Sequence, residues 1–140
     1  KQKTAYEISL GLVGSEMCIR DRWCIIEHCY RETPDRKWAW FSFPREIAPI
    51  EACICPLVRK EELIAIAIEL FRKMKSLGLN VLYDERGSIG KRYARADQIG
   101  VPYCITVDYR TPEDGTVTVR DRNTKEQVRM PISKAVEMLL

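Results

Sequence analysis

The segment that most constrains the fold is Glu61–Leu77, which is amphipathic and lies between two apolar segments. Its apolar side chains fall on one face of a helix, and they are Leu63, Ala67, Leu70, Met74 and Leu77. Gly78 follows, and glycine is typical of the position where a helix ends. A helix with one apolar face must bury that face against another element, so this segment predicts a layered domain.

Five short segments around this helix have the composition and alternation of strands, and they span residues 50–58, 80–84, 103–108, 116–121 and 127–132. The last two bracket the turn RNTK as a β-hairpin. A second helix is expected after Ser88, a suitable capping residue, and a last helix begins at Ser133. The order β-α-β-α-β-β-β-α predicts an α/β fold, a three-layer domain with a mixed five-stranded sheet flanked by helices.

The composition suits a single domain with a hydrophobic core and argues against several kinds of site. Of the 140 residues, 46% are hydrophobic and 31% are charged, and the formal net charge of +3 is compatible with an RNA partner. The six cysteines show no Cys-x-x-Cys spacing, and the single histidine, His28, cannot complete a metal site. We therefore expect no metal and a reduced, cytoplasmic protein. No apolar run approaches the ~20 residues of a membrane span, so no membrane partner is expected.

The stretch GSIG, residues 87–90, raises the question of a phosphate-binding loop. The Walker loop GxxxxGK[ST] has a different spacing, and the dinucleotide fingerprint GxGxxG is also absent. A nucleophile–base pair is not found either, because Glu27 and His28 are adjacent on a predicted helix and do not face each other. We therefore predict no catalytic residues and interpret GSIG as a turn that begins a helix.

Two groups of charged residues are candidates for contact with RNA. Lys91, Arg92 and Arg95 follow GSIG on the predicted second helix. Arg120 and Arg122 are two residues apart on a predicted strand, so their side chains project from one face. The alternative for each group is a solvated or salt-bridged surface that binds no ligand.

Both groups belong to longer runs with a family resemblance. GSIGKRYARADQIGVPYCITVD and EDGTVTVRDRNTKEQVRMPI resemble the C-terminal anticodon-binding domain of class II glycyl-tRNA synthetases, in their archaeal and eukaryotic form. EHCYRETPDRKWAWFSFPREIAPIEACICPLV resembles the passage that links the catalytic domain of those enzymes to it. The resemblance implies the tail of a catalytic domain and a linker over residues 23–47, and an anticodon-binding domain over residues 48–140.

The resemblance also implies a function, which is recognition of the tRNA(Gly) anticodon loop as part of a glycine–tRNA ligase. Such enzymes are homodimers that form glycyl-tRNA with ATP and Mg²⁺ in their catalytic domain. The implied partners are therefore tRNA(Gly) and that domain, and no cofactor is expected in this part. The three class II motifs are absent from the sequence, so this chain is predicted to be inactive alone. An alternative is a non-enzymatic RNA-binding accessory protein with the same fold.

Glycine anticodons carry cytosine at their second and third positions, and this indicates which residue types should read them. Cytosine offers its N4 amine to a carboxylate, and its O2 and N3 atoms accept hydrogen bonds from arginine. A reader therefore needs arginines and acids close together, with phosphate contacts around them. The RNA-binding candidates are Arg92, Arg95, Asp97, Arg120, Arg122 and Glu126, with Lys91 as a phosphate contact.

Residues 1–22 fit no structural class and resemble the translation of sequencing-library adapters. Lys1–Glu7 and Leu12–Asp21 back-translate into two such adapters, in the right order and in one reading frame. We therefore interpret this segment as an assembly artefact and exclude it from the reasoning about the fold.

Overall fold

The structure is a computed structural model, and it describes residues 19–140. Most of the adapter-like segment, residues 1–18, lies outside the described residues. The chain divides into two compact units, Lys1–Tyr30 and Arg31–Leu140. Residues 19–29 are helical in the first unit, and the second unit contains the main sheet.

Short elements come first along the described chain: β1 (Tyr30–Arg31), β2 (Trp40–Phe41) and a 3₁₀ turn at Arg45–Ile47. The main alternation follows, with β3 (Ala52–Pro56), α1 (Glu61–Ser76), β4 (Val81–Tyr83), α2 (Ile89–Gln98) and β5 (Tyr103–Val107). The chain then forms α3 (Thr111–Asp114), β6 (Thr116–Asp121), β7 (Gln127–Pro131) and α4 (Ile132–Glu137). Within residues 19–140, no helix has both the length and the apolar character needed to cross a bilayer.

The main sheet has five strands in the order β4-β3-β5-β6-β7. Strand β3 is parallel to β4 and β5, whereas the pairs β5–β6 and β6–β7 are antiparallel. Helices connect the parallel strands because such strands need a crossover, and a tight turn joins the antiparallel strands β6 and β7. The predicted α/β fold with a mixed five-stranded sheet is confirmed, and the short helix α3 is an addition to it.

Alternate side chains of β3 enter two cores on opposite faces of the sheet. Ala52 and Ile54 pack with α1 and α4 in the larger core. Cys53 and Cys55 pack with Ala96 of α2 in the smaller core. Every residue of β3 is buried, which is typical of a strand covered on both faces.

Two predictions about helix ends are wrong. Leu77 is not part of the buried face of α1, because the helix ends at Ser76 and Leu77 is 45% exposed. Ser88 does not cap α2 through its side chain. Its backbone carbonyl instead accepts hydrogen bonds from the amides of Lys91 and Arg92, at 3.0 and 3.1 Å.

The cysteines of the described residues are free thiols. Cys53, Cys55 and Cys104 are buried together on the α2 side of the sheet. Hydrogen bonds with Cys104 and Cys55, together with burial, raise the pKa of the Cys53 thiol. The Cys53 thiol therefore stays protonated, and the cluster consists of small core residues.

Candidate nucleic-acid interface

The GSIG turn begins α2, and the apolar side of this helix packs on the sheet. Gly87 has a φ of +74°, a left-handed conformation that glycine adopts without strain. Ile89 and Tyr93 are half-buried and Ala96 is buried, so one face of the helix contacts the sheet. The hydroxyl of Tyr93 lies 2.7 Å from Oγ1 of Thr106, and burial raises the pKa of Tyr93. The hydroxyl end of Tyr93 is therefore anchored to β5.

Arg92 points into the domain rather than away from it, and only 2% of this residue is exposed. Its Nη1 donates to the carbonyl of Pro56 at the end of β3, and its Nη2 donates to the carbonyl of Gly87 at 2.7 Å. Buried backbone carbonyls need a donor, and Arg92 supplies one. Arg92 therefore joins β3 to the GSIG turn and is not on the open basic face that the sequence predicted.

Asp97 and Arg120 form a buried ion pair between α2 and β6. Nη1 and Nη2 of Arg120 donate to Oδ1 and Oδ2 of Asp97 at 2.9 and 3.0 Å, which is a bidentate arrangement. Asp97 is fully buried and Arg120 is 4% exposed. Burial opposes the charge of Arg120, but the hydrogen bond and charge of Asp97 outweigh it and raise the Arg120 pKa. The Arg120 guanidinium also lies 4.8 Å from the centre of the Tyr93 ring.

Residues 36–40 also reach this ion pair, which no motif in the sequence predicted. Nε1 of Trp38 donates to Oδ2 of Asp97 at 3.1 Å. Nη1 of Arg36 lies 3.6 Å from the same oxygen, and the Arg36 guanidinium stacks 3.8 Å above the Trp40 ring. Strand β2 lies within the run KWAWFSFP, in which apolar and polar residues alternate. That pattern did not reveal which side chains face the ion pair.

Arg122 joins the end of α2 to residues 36–43, the segment upstream of the sheet. Its Nη1 donates to the carbonyl of Gly100 at 2.7 Å, and its Nη2 donates to the carbonyl of Phe43 at 2.8 Å. Only 3% of Arg122 is exposed. Arg120 and Arg122, predicted to project together toward RNA, therefore both end in the interior of the domain.

Lys91, Arg95 and Glu126 are the candidates that lie on the surface. Nη2 of Arg95 is 2.6 Å from Oδ2 of Asp84 and donates to the carbonyl of Arg86 at 2.5 Å. An exposed ion pair of this kind contributes only ~0–1 kcal/mol. Arg95 can therefore leave Asp84 at a small cost in free energy.

A cleft of about 350 Å³ lies beside the buried ion pair. It is lined by residues 35–38, by Tyr93 of α2, and by Arg120, Lys125 and Gln127 of the hairpin. Its volume falls in the ~300–1,000 Å³ range that is common for small-ligand sites. Basic side chains outnumber acidic ones in this lining, so the cleft favours a ligand with negative charge or hydrogen-bond acceptors.

Comparison with known proteins identifies the family. The family described as "Anticodon binding domain" matches residues 51–140. The chain belongs to this family. The matched residues include α2, the hairpin and four of the residues that line the cleft, which are Tyr93, Arg120, Lys125 and Gln127.

This anticodon-binding domain is similar to part of the glycine–tRNA ligases of two archaea. The chain is 49% identical over 120 residues to the glycine–tRNA ligase of Methanocaldococcus jannaschii, and the match covers 86% of this chain and 20% of the relative. It is 52% identical over 100 residues to that of Pyrococcus furiosus, which covers 71% of this chain and 18% of the relative. The chain thus spans about a fifth of the length of these relatives. The resemblance to glycyl-tRNA synthetases is confirmed.

The fold of this anticodon-binding domain also occurs in a solved structure. The RNA binding domain of threonyl-tRNA synthetase from Cryptosporidium parvum Iowa II superposes with a TM-score of 0.64 at 19% identity. The match covers 70% of this chain and 24% of that one. At this identity the likeness concerns the fold alone.

The seven predicted RNA-binding residues of the anticodon-binding domain fall into two sets. Arg92, Asp97, Arg120 and Arg122 are buried and already hydrogen-bonded within the domain, whereas the other three are exposed. The buried set shapes the cleft and the ends of α2. The exposed set lies on the surface of the domain.

Proposed function

We propose that this domain binds the anticodon loop of tRNA(Gly) as part of a glycine–tRNA ligase. The observation that carries the proposal is the 49% identity to a glycine–tRNA ligase over 120 residues, which is 86% of this chain. Aminoacylation with ATP and Mg²⁺ belongs to the catalytic domain of the parent enzyme, which we expect to be a cytoplasmic homodimer. We expect this chain alone to bind RNA without forming glycyl-tRNA.

The GSIG turn supports the proposal that this domain binds RNA and that ATP is bound by the catalytic domain. The Gly87 carbonyl accepts a hydrogen bond from the buried Arg92, so this turn is fastened to the core of the domain. The run GSIGKR also lacks the glycine spacing of a triphosphate loop, and Arg92 follows the lysine where such a loop has the Ser or Thr that binds Mg²⁺. The residues of this turn therefore do not form a binding site for a nucleoside triphosphate.

The cleft and the exposed basic residues have complementary roles in this proposal. Anticodon loops are single-stranded, so their bases can be unstacked and bound one at a time. The cleft receives a base, and its basic lining donates hydrogen bonds to that base. Lys91 and Arg95 contact phosphates, which positions the loop without reading its sequence. Asp97 and Arg120 hold the cleft in shape.

The proposal predicts a preference for loops that carry the glycine anticodon. We expect the chain to bind a stem-loop with cytosine at the second and third anticodon positions at least about tenfold more tightly than one with uracil at both. Fluorescence anisotropy with labelled stem-loops at fixed salt measures both affinities. Equal affinity for the two loops would contradict the proposal.

A phosphate contact by Lys91 should contribute to affinity in a way that does not depend on the anticodon sequence. Lys91→Ala should weaken both loops by the same factor and lower the slope of log K against log salt by about 0.7–1. Arg72→Ala is the matched control, because Arg72 is exposed on α1, across the sheet from α2. Titrations at several salt concentrations measure the slopes, and an unchanged slope for Lys91→Ala would exclude this contact.

A further inference from the structure

The buried ion pair beside the cleft has more donors than acceptors. Arg120, Trp38 and Arg36 all converge on the carboxylate of Asp97. A single negative charge therefore faces two guanidinium groups, so this cluster keeps a net positive charge. A buried charge that is not fully compensated costs free energy, and a ligand with acceptor atoms can offset that cost.

Arg36 carries one of the three buried side-chain nitrogen atoms without a hydrogen-bond partner among the described residues. Its side chain is 2% exposed, and its Nη2 donates to the backbone carbonyls of Arg122 and Asn123. Its Nη1 has no hydrogen-bond partner, because 3.6 Å from Asp97 is longer than a hydrogen bond. Burial lowers the pKa of Arg36 more than the charge of Asp97 raises it. Buried donors without partners are few in native proteins, and each calls for an explanation.

Lys125 brings a further positive charge to the same cleft from the turn of the hairpin. It has a φ of +63°, and among the described residues it is the only residue other than glycine with a positive φ. This conformation costs about 1–2 kcal/mol for a residue with a Cβ atom. A residue in this conformation is common in short hairpin loops such as the one between β6 and β7, and here it places Lys125 beside the cleft. Lys125 and Arg36 both line the cleft.

The hydrogen-bonding character of the cleft indicates what kind of base it binds. Arginine and lysine side chains offer only donors, so the complementary edge has neighbouring acceptors. Cytosine presents O2 and N3 side by side as acceptors, whereas uracil has a donor N–H at position 3 between its two carbonyls. The amide of Gln127, which also lines the cleft, can accept from the N4 amine of cytosine.

We propose that Arg36 is a specificity-determining residue of the anticodon site, and that its guanidinium donates to the O2 and N3 edge of one unstacked cytosine in the cleft. This inference rests on the proposed function. It assigns base recognition to the segment upstream of the sheet, in addition to α2 and the hairpin. Trp38 and Trp40 position Arg36, because one holds the Asp97 carboxylate and the other supports the guanidinium from below.

A double-mutant cycle between protein and RNA tests the assignment. The full chain and its Arg36→Lys variant are titrated with three stem-loops, which carry both cytosines, uracil at the second position, or uracil at the third. Lysine keeps the positive charge but loses the planar pair of donors. We expect Arg36→Lys to weaken the loop with both cytosines about tenfold. It should have no further effect on the loop in which the base bound by Arg36 is already uracil.

Three outcomes distinguish the assignment from its alternatives. An equal loss for all three loops would mean a phosphate contact and would overturn the inference. No loss in any loop, with the cytosine preference retained, would overturn the inference while the proposed function stands. Equal binding of all loops by the unchanged chain would overturn both.

Two controls keep the result interpretable. Arg72→Lys, on the opposite side of the sheet, should leave all three affinities unchanged. If Arg36→Lys fails to fold, the unchanged chain is titrated with loops that carry 3-deazacytosine at either position, an uncharged base in which a C–H group replaces the N3 acceptor. A loss of about tenfold at one position supports the inference, and unchanged binding at both positions overturns it.

Discussion

Replacing Asp97 with alanine is expected to lower the free energy of unfolding by about 3–5 kcal/mol. The Asp97 carboxylate accepts both hydrogen bonds of Arg120 and the indole hydrogen bond of Trp38. Alanine would leave Arg120 and Arg36 buried without a counter-charge, and this is the costly way to break a buried ion pair. Urea denaturation followed by tryptophan fluorescence measures the loss, because Trp38 lies within the cluster.

Two further variants separate the ion pair from general effects of substitution. Asp97→Asn keeps the volume and one acceptor oxygen, so it should lose less stability than Asp97→Ala. Glu69→Gln, at an exposed position on α1, should change the free energy of unfolding by no more than ~0.5 kcal/mol. A loss below about 1 kcal/mol for Asp97→Ala would contradict the role of this carboxylate.

Gly100→Ala is expected to cost about 2–5 kcal/mol, for two reasons that add. Gly100 has a φ of +81°, and this left-handed conformation costs about 1–2 kcal/mol for alanine. A Cβ atom at Gly100 would also lie only 2.7 Å from Cε2 of Phe43 and 3.2 Å from Cβ of Phe41. Such overpacking typically costs ~1–3 kcal/mol. The free energy of unfolding of this variant, from urea denaturation, is the measurement.

Gly78→Ala is a matched control for this prediction. Gly78 also follows a helix with a φ of +88°, but no atom lies within 4 Å of the position its Cβ would occupy. It should therefore show only the conformational cost, about 1–2 kcal/mol. Equal losses at Gly78 and Gly100 would contradict the close packing of Phe43 against the end of α2.

Both predictions concern the contact between α2 and the segment upstream of the sheet. Phe43 lies against Gly100 and accepts a hydrogen bond from Arg122, and Trp38 donates to Asp97. The resemblance implied that residues 23–47 are the tail of a catalytic domain and a linker. In the structure, the compact unit that contains the sheet begins at Arg31, so the later part of this segment belongs to the same unit.

The fold was largely predictable from the sequence, because its signals are local. The apolar stripe of α1 and the glycines after α1 and α2 mark helices and their ends. The alternation in residues 116–121 and 127–132 marks the hairpin. The errors at Leu77 and Ser88 are single residues at helix ends, where backbone hydrogen bonds decide the boundary.

The candidate site was less predictable, because it depends on contacts between distant parts of the chain. The side chains of Arg120 and Arg122 were predicted to share one open face, but α2 and the upstream segment cover it. Arg36 and Asp97 are 61 positions apart, and no spacing rule relates them. The pairing of Arg92 with the carbonyl of Pro56 is likewise set by the crossover of α2 over the sheet.

By itself, the sequence determined the order of elements, the mixed sheet, the helix α2 after GSIG, and the similarity to glycyl-tRNA synthetases. Periodicity reports which side chains share a face of a helix or strand, so the first three conclusions needed no tertiary information. The similarity rests on the quoted runs of residues instead. The tertiary structure was needed to show which of the charged residues are buried. It was also needed to show that residues 35–38 line the cleft. Burial depends on which other segment packs over a face, and that is a property of the whole folded chain.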